Sequence, residues 1–147
     1  MRRFLLLALV LVALVSVGCN PGDDEGGAFD LSLSGDAEIC DGDTCGGSGS
    51  GDAEVEINTD ENQICYEVSL SGVSDVAAAH IHEGVEGEAG DVVVDLEYDG
   101  DDEGADACVD GVDEGVLEGI TEEPSGFYLN VHSAEYPDGA VRGQLGD

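Results

Sequence analysis

From Phe29 onward, runs of the chain place apolar residues at every second position: Phe29, Leu31 and Leu33, then Ala53, Val55 and Ile57, then Ile64, Tyr66, Val68 and Leu70. Successive side chains of an extended chain point to opposite faces, so this alternation buries one face of a sheet and wets the other. The intervening positions carry Asp, Glu and Ser, which suit a wet face. The polar stretch Thr59-Asp60-Glu61-Asn62 separates the second and third runs and predicts a hairpin. Further strands are predicted over 77–82, 91–96, 127–132 and 140–145. About seven or more short strands with turn chemistry between them predict an all-β protein, an antiparallel Greek-key or immunoglobulin-like sandwich or barrel. Two stretches break the alternation, a Gly/Ser/Asp loop over 41–52 and an acidic Gly loop over 99–107. Val112, Val116, Leu117 and Ile120 fall at helical spacing and predict one short helix before Pro124.

The wet face is extreme in charge. The chain holds 35 carboxylates against three Lys and Arg, for a net charge of −32. Every carboxylate follows Cys19, and beyond Arg3 the only basic side chain besides the histidines is Arg142. Binding to nucleic acid needs cations to displace counterions, and an anionic membrane surface repels such a domain, so both are excluded as partners. Self-repulsion weakens a compact fold at low ionic strength, which predicts a salt-dependent protein adapted to high salt. The acids alternate with Val, Ile, Leu and Tyr instead of forming long blocks, so a disordered acidic tail is not the reading.

The start of the chain has a different character. Arg2 and Arg3 precede an apolar run over 4–17 that ends at Gly18-Cys19. The run is shorter than the roughly 20 residues that span a bilayer and has the layout of a secretory signal, with the general secretory route favoured over twin-arginine export. Gly18-Cys19 resembles a lipobox, which implies a lipidated Cys19 anchored to a membrane or envelope outside the cytoplasm. The expected organisation is a signal peptide over 1–18, a lipidated acidic tether over 19–28 and one domain over 29–147. Of the five cysteines, lipidation of Cys19 leaves an even set, Cys40, Cys45, Cys65 and Cys108, for disulfides in an oxidising compartment. Four cysteines allow three connectivities, and counting does not choose among them.

The candidate chemistry lies in the three histidines. His80 and His82 share one face of a strand, with Ile81 on the other. If the strand of His132 lies alongside, three imidazoles converge as a set suited to zinc or copper. Asn130 and Arg142 are read as structural polar residues, with Arg142 expected to pair with a carboxylate inside the fold. Tyr136-Pro137-Asp138-Gly139 predicts a turn that brings the His132 strand back against the Arg142 strand. Asp99-Gly100-Asp101-Asp102-Glu103-Gly104, with Asp110 further on, loosely matches a calcium loop. No Gly-x-Ser-x-Gly elbow or phosphate-binding glycine pattern is present, so no catalytic residue is assigned and the chain is not read as an enzyme.

Three segments together, Ala78-Ala79-His80-Ile81-His82-Glu83-Gly84, 90–96, and the run from Gly126 to Leu145 that includes Phe127-Tyr128-Leu129-Asn130-Val131-His132-Ser133 and Tyr136-Pro137-Asp138-Gly139-Ala140-Val141-Arg142-Gly143-Gln144, resemble the CHRD (chordin-type) domain. The resemblance covers roughly 29–145. It implies an extracytoplasmic β-domain acting as a binding or structural module toward an unidentified envelope or extracellular protein. It also implies pairing of Cys65 with Cys108, which leaves Cys40 with Cys45. The alternative reading is a histidine-based copper- or zinc-binding or redox-protective surface protein. Copper-zinc superoxide dismutases also carry a His-x-His pair on a Greek-key sandwich, but their zinc-bridging histidine and fourth copper ligand have no counterparts here.

Overall fold

The computed structural model describes residues 26–40 and 44–146; the predicted signal segment and Cys19 lie outside them. Eight strands form one antiparallel sheet: β1 (Gly27–Ser34), β2 (Ser50–Asn58), β3 (Gln63–Ser71), β4 (Val76–Glu83), β5 (Val92–Asp95), β6 (Gly104–Asp110), β7 (Phe127–Ser133) and β8 (Val141–Gln144). Their order is β5-β4-β7-β8-β1-β2-β3-β6, and the sheet curls into a half-barrel. The all-β antiparallel expectation holds, in the barrel-like of the two forms predicted. Both predicted hairpins, β2–β3 and β7–β8, are formed. Among the described residues no helix is long and apolar enough to cross a membrane.

Alternation decides what each strand buries. Leu31, Leu33, Ala53, Val55, Ile57, Ile64, Tyr66 and Val68 line one face, continued by Ala79, Ile81, Leu129, Val131 and Val141. Fully burying an aliphatic side chain contributes about 1.5–3 kcal/mol, so this face is the main source of stability. The helix α1 (Glu114–Glu122) adds Leu117 and Ile120, both fully buried. It starts two residues later than the spacing predicted because the Asp113 side chain accepts from the Gly115 and Val116 amides and caps it there. It ends before Pro124, which cannot supply the next amide.

Two of the loop expectations need correction. The acidic glycine stretch over 99–107 is a turn only in its first half; from Gly104 onward it is β6, paired with β3 from Gln63↔Asp110 to Ser69↔Gly104. Its inward residues there are Ala105 and Ala107, too small to register as an apolar run, and its outward ones are acidic. Likewise β2 begins at Ser50, inside the predicted 41–52 loop, because Ser50 and Gly51 pair with β1 on one side and β3 on the other. Both disulfides implied by the resemblance are formed, Cys40–Cys45 and Cys65–Cys108. Cys65 and Cys108 are direct cross-strand partners with Cα atoms 4.0 Å apart.

The wet face of β1, β2, β3 and β6 places like charges in register. Asp30 pairs with Glu54, Glu54 with Glu67, and Glu67 with Asp106, a row of carboxylates across four strands. Like charges directly opposite one another on a sheet destabilise it, by an amount of the same order as favourable pairs contribute, about 0.2–1 kcal/mol each. The double variant Glu54→Gln/Glu67→Gln is therefore expected to raise the melting temperature in low salt. The gain should vanish in molar salt, where the Debye length is about 3 Å. Melts at both ionic strengths test this; an equal gain at both would mean that repulsion along the row is not what destabilises the sheet.

Candidate metal centre

The other face of β4, β7 and β8 is polar, and it is built by strict register. His80 stands opposite Asn130, which stands opposite Arg142; one row along, His82 stands opposite Tyr128, which stands opposite Gln144. His132 follows Asn130 on the same face of β7, with Ala78 as its β4 partner. The same alternation that sends Leu129 and Val131 into the core therefore sends Tyr128, Asn130 and His132 to this side.

Two segments cover it. Arg142 donates to the carbonyls of Glu88 at 2.7 Å and Val85 at 2.9 Å, and its guanidinium lies 3.4 Å over the Tyr128 ring. The Gln144 amide reaches the Gly84 carbonyl at 2.7 Å. These contacts clamp the 84–90 segment onto the sheet. The expectation that Arg142 pairs with a carboxylate is corrected: its hydrogen bonds go to backbone carbonyls and to Gln144. A planar fork of donors suits carbonyls that have no partner in the sheet. The second cover is the segment around Glu38, whose carboxylate accepts from the Asn130 amide at 3.3 Å.

Beneath these covers the three histidines converge. One ring nitrogen from each of His80, His82 and His132 lies within 4.8 Å of the other two. Ring centroids are 4.8 Å apart for His80 and His132, 5.7 Å for His82 and His132, and 5.8 Å for His80 and His82. His82 Nδ1 is 3.0 Å from the Gly90 carbonyl and His132 Nδ1 is 3.1 Å from the Pro137 carbonyl. A carbonyl can only accept, so in both rings Nδ1 carries the proton and Nε2 keeps a lone pair. Both Nε2 atoms and His80 Nδ1 are buried and make no hydrogen bond among the described residues. Buried polar atoms without partners are rare, and one on each of three converging imidazoles makes the cluster a candidate donor set for a cation. Outer carbonyls that fix the tautomer are the usual support of metal-binding imidazoles.

Electrostatics favour the same state. Burial, reinforced by the neighbouring imidazole of His80, holds His132 well below an ordinary histidine, at about 4. Burial also lowers His82, against the Gly90 hydrogen bond that raises it. Both rings are neutral at pH 7, as a metal ligand must be. A set of three imidazoles suits zinc or copper and leaves a coordination position for a further ligand.

Glu38 has the opposite anomaly. Burial pushes its carboxyl up to about 7 despite the Asn130 hydrogen bond and the Arg142 charge, and its Oε1 has no partner, nor has Asn130 Oδ1. The fold holds this proton between about 4.5 and 7, where an exposed glutamate has lost it, so stability falls as pH rises through that window. His132 slopes the other way, since the unfolded chain takes up a proton below 6.5 that the fold resists down to about 4. Glu38→Gln is accordingly expected to raise stability above pH 7 and to change little at pH 4, as read by urea unfolding at the two pH values. An equal effect at both would remove the buried carboxylate as the cause.

The structure thus brings His80, His82, His132, Asn130 and Arg142 to one face, as the sequence suggested. Tyr128 and Gln144 were missed although they alternate with Asn130 and Arg142. Glu38 carried no local signal, standing 92 positions from Asn130. The calcium loop is not assembled. Asp101 and Asp102 accept the Glu103 and Val76 amides, and Gly104–Asp110 runs extended, carrying Asp110 about 20 Å away along β6 to the Gln63 amide.

The family model described as the CHRD domain matches residues 29–145. No curated protein matches the chain, and no solved structure does. The family and the disulfides fit a protein of the extracellular space.

Proposed function

Since the chain belongs to the CHRD family, we propose that it is an extracytoplasmic module that holds one zinc or copper ion on His80, His82 and His132, and that it binds without turnover. The observation that carries this reading is the convergence of three imidazoles, one ring nitrogen of each within 4.8 Å of the other two, two of the rings being oriented by backbone carbonyls and all three carrying a buried nitrogen without a hydrogen bond among the described residues. Lipidation of Cys19 tethers the domain to the cell surface, and the 19–28 segment spaces it from the membrane. The carboxylate-rich surface keeps it soluble and folded in strong salt, where screening removes the self-repulsion. Any partner is a protein of the envelope or extracellular matrix, not a polyanion.

The test is bound metal, measured by elemental analysis on the full chain purified in molar salt with its disulfides intact, then exposed to Zn²⁺ or Cu²⁺ and desalted. An ion retained stoichiometrically, and lost in His80→Ala/His82→Ala/His132→Ala, supports the reading. Equal retention by both proteins places the ion on surface carboxylates. No retention by either leaves the histidines as rim residues of the sheet and turns the search to a protein partner.

A further inference from the structure

The Cys40–Cys45 disulfide, with a sequence separation of 5, joins two stretches that both reach the histidine face of the sheet or its β7–β8 turn. On one side of that bridge stands Glu38, whose carboxylate rests on Asn130. On the other, the Thr44 carbonyl accepts the Asp138 amide at 3.1 Å and the Gly46 amide donates to the Gly139 carbonyl at 2.8 Å. Asp138 and Gly139 belong to the β7–β8 turn, and the residue before them, Pro137, supplies the carbonyl that orients His132. The turn is shaped for this contact. Gly139 has a φ of +137°, and a Cβ there would lie 2.6 Å from the Glu38 carboxylate, so only glycine lets the cover sit down. Position 46 favours glycine for a different reason, Gly46 having a φ of +73°, a left-handed backbone that a side chain rarely adopts.

We propose that the Cys40–Cys45 disulfide is a redox latch on the histidine site: closed, it yields the tight metal-binding form, and open, it lets the β7–β8 turn and His132 lose their fixed orientation. The inference rests on the metal-binding reading and adds its regulation. The bridge ties Glu38, on one side, to Thr44 and Gly46, on the other, so that the contacts to Asn130, Asp138 and Gly139 are made by one joined unit. Without it, each anchor must be ordered independently, and the cost of ordering falls on the metal-bound state. The exchange is balanced. On closing, the two thiols each give up a proton and an electron, both electrons pass to a disulfide-bearing oxidant, and that oxidant becomes a dithiol. A dithiol reductant reverses it. A chain that folds reduced and is oxidised outside the cytoplasm thereby acquires its tight site only after export.

The experiment compares Zn²⁺ affinity, by competition with a chromophoric chelator, for the full chain, for Cys40→Ser/Cys45→Ser, and for Cys65→Ser/Cys108→Ser. All three are measured in molar salt at a temperature where melts show each folded. The expected result is a loss of about tenfold or more in the first variant, the size of a lost outer support of a metal ligand, with little change in the second. Gly139→Ala, which leaves both bridges intact but displaces Glu38, should reproduce part of the loss. Unchanged affinity in Cys40→Ser/Cys45→Ser overturns the latch and leaves the metal reading standing. Equal losses in both cysteine variants also overturn it, since general loosening would then be the cause. Failure of the unaltered chain to bind Zn²⁺ removes the metal reading and the latch with it.

Discussion

Replacing His132 by alanine is expected to weaken zinc binding by more than about a hundredfold. Structural zinc sites with four ligands bind with about 10–16 kcal/mol, so one ligand carries on the order of 3 kcal/mol, and each 1.4 kcal/mol is a factor of ten. His132, like His82, has its Nδ1 committed to a backbone carbonyl and its Nε2 buried without a hydrogen bond among the described residues; its carbonyl, that of Pro137, lies in the turn after its own strand. The substitution removes both the lone pair and the tie between β7 and its turn. His132→Gln separates these effects: its amide can still donate to a carbonyl, but it offers no imidazole lone pair. If metal affinity falls in both variants while the melting temperature falls only in the alanine, the ring is a ligand and the carbonyl contact is its support. If neither variant changes affinity, the imidazoles converge without a cation. The depressed proton affinity of His132 adds a pH signature. Its ring stays neutral below pH 6, where an ordinary histidine is protonated, so the loss of this one ligand to protonation belongs to the range where pH approaches about 4.

The second large effect is expected at the Cys65–Cys108 bridge. Opening it in Cys65→Ser/Cys108→Ser frees a loop of sequence separation 43. In the chain-entropy account a closed loop of that size contributes on the order of 4 kcal/mol. The position magnifies the consequence. β6 is an edge strand, paired with β3 alone among the described strands, and of its inward residues only Val109 is a large buried side chain, Ala105 and Ala107 being small and half-buried. The bridge fastens it directly opposite its partner. Urea unfolding in molar salt should show a midpoint shifted by most of that free energy. Amide exchange over Gly104–Asp110 should become much faster than over β7, which is covered on both faces. A stability loss below about 1 kcal/mol would show that β6 is held by its ladder and not by the sulfur bridge.

Much of this was legible along the chain. Strands whose inward residues are Leu, Ile, Val or Tyr announced themselves, since period-two burial needs only neighbouring residues to be read. Strand β6 did not, because alanine between aspartates looks like a loop until a partner strand and a disulfide hold it. The His-x-His pair was readable for the same local reason, and its meeting with His132 followed from one conditional step, the adjacency of β4 and β7. Glu38 was beyond reach. Its burial is created by a chain segment folding back over Asn130, and nothing in Ala37-Glu38-Ile39 marks it.

The sequence by itself therefore determined the class of the fold, the face to which each strand residue points, the charge of the wet surface and the supply of four domain cysteines, all properties of local alternation or of counting. Tertiary structure decided the order β5-β4-β7-β8-β1-β2-β3-β6, and with it that His80, Asn130 and Arg142 share a row. It also decided which backbone carbonyls fix the histidine tautomers and that Glu38 comes to rest on Asn130. Which strands pair and which loops cover a face depend on the burial and hydrogen bonding of residues far apart in the chain. Those are gained only after loop closure, and no short window of sequence records them.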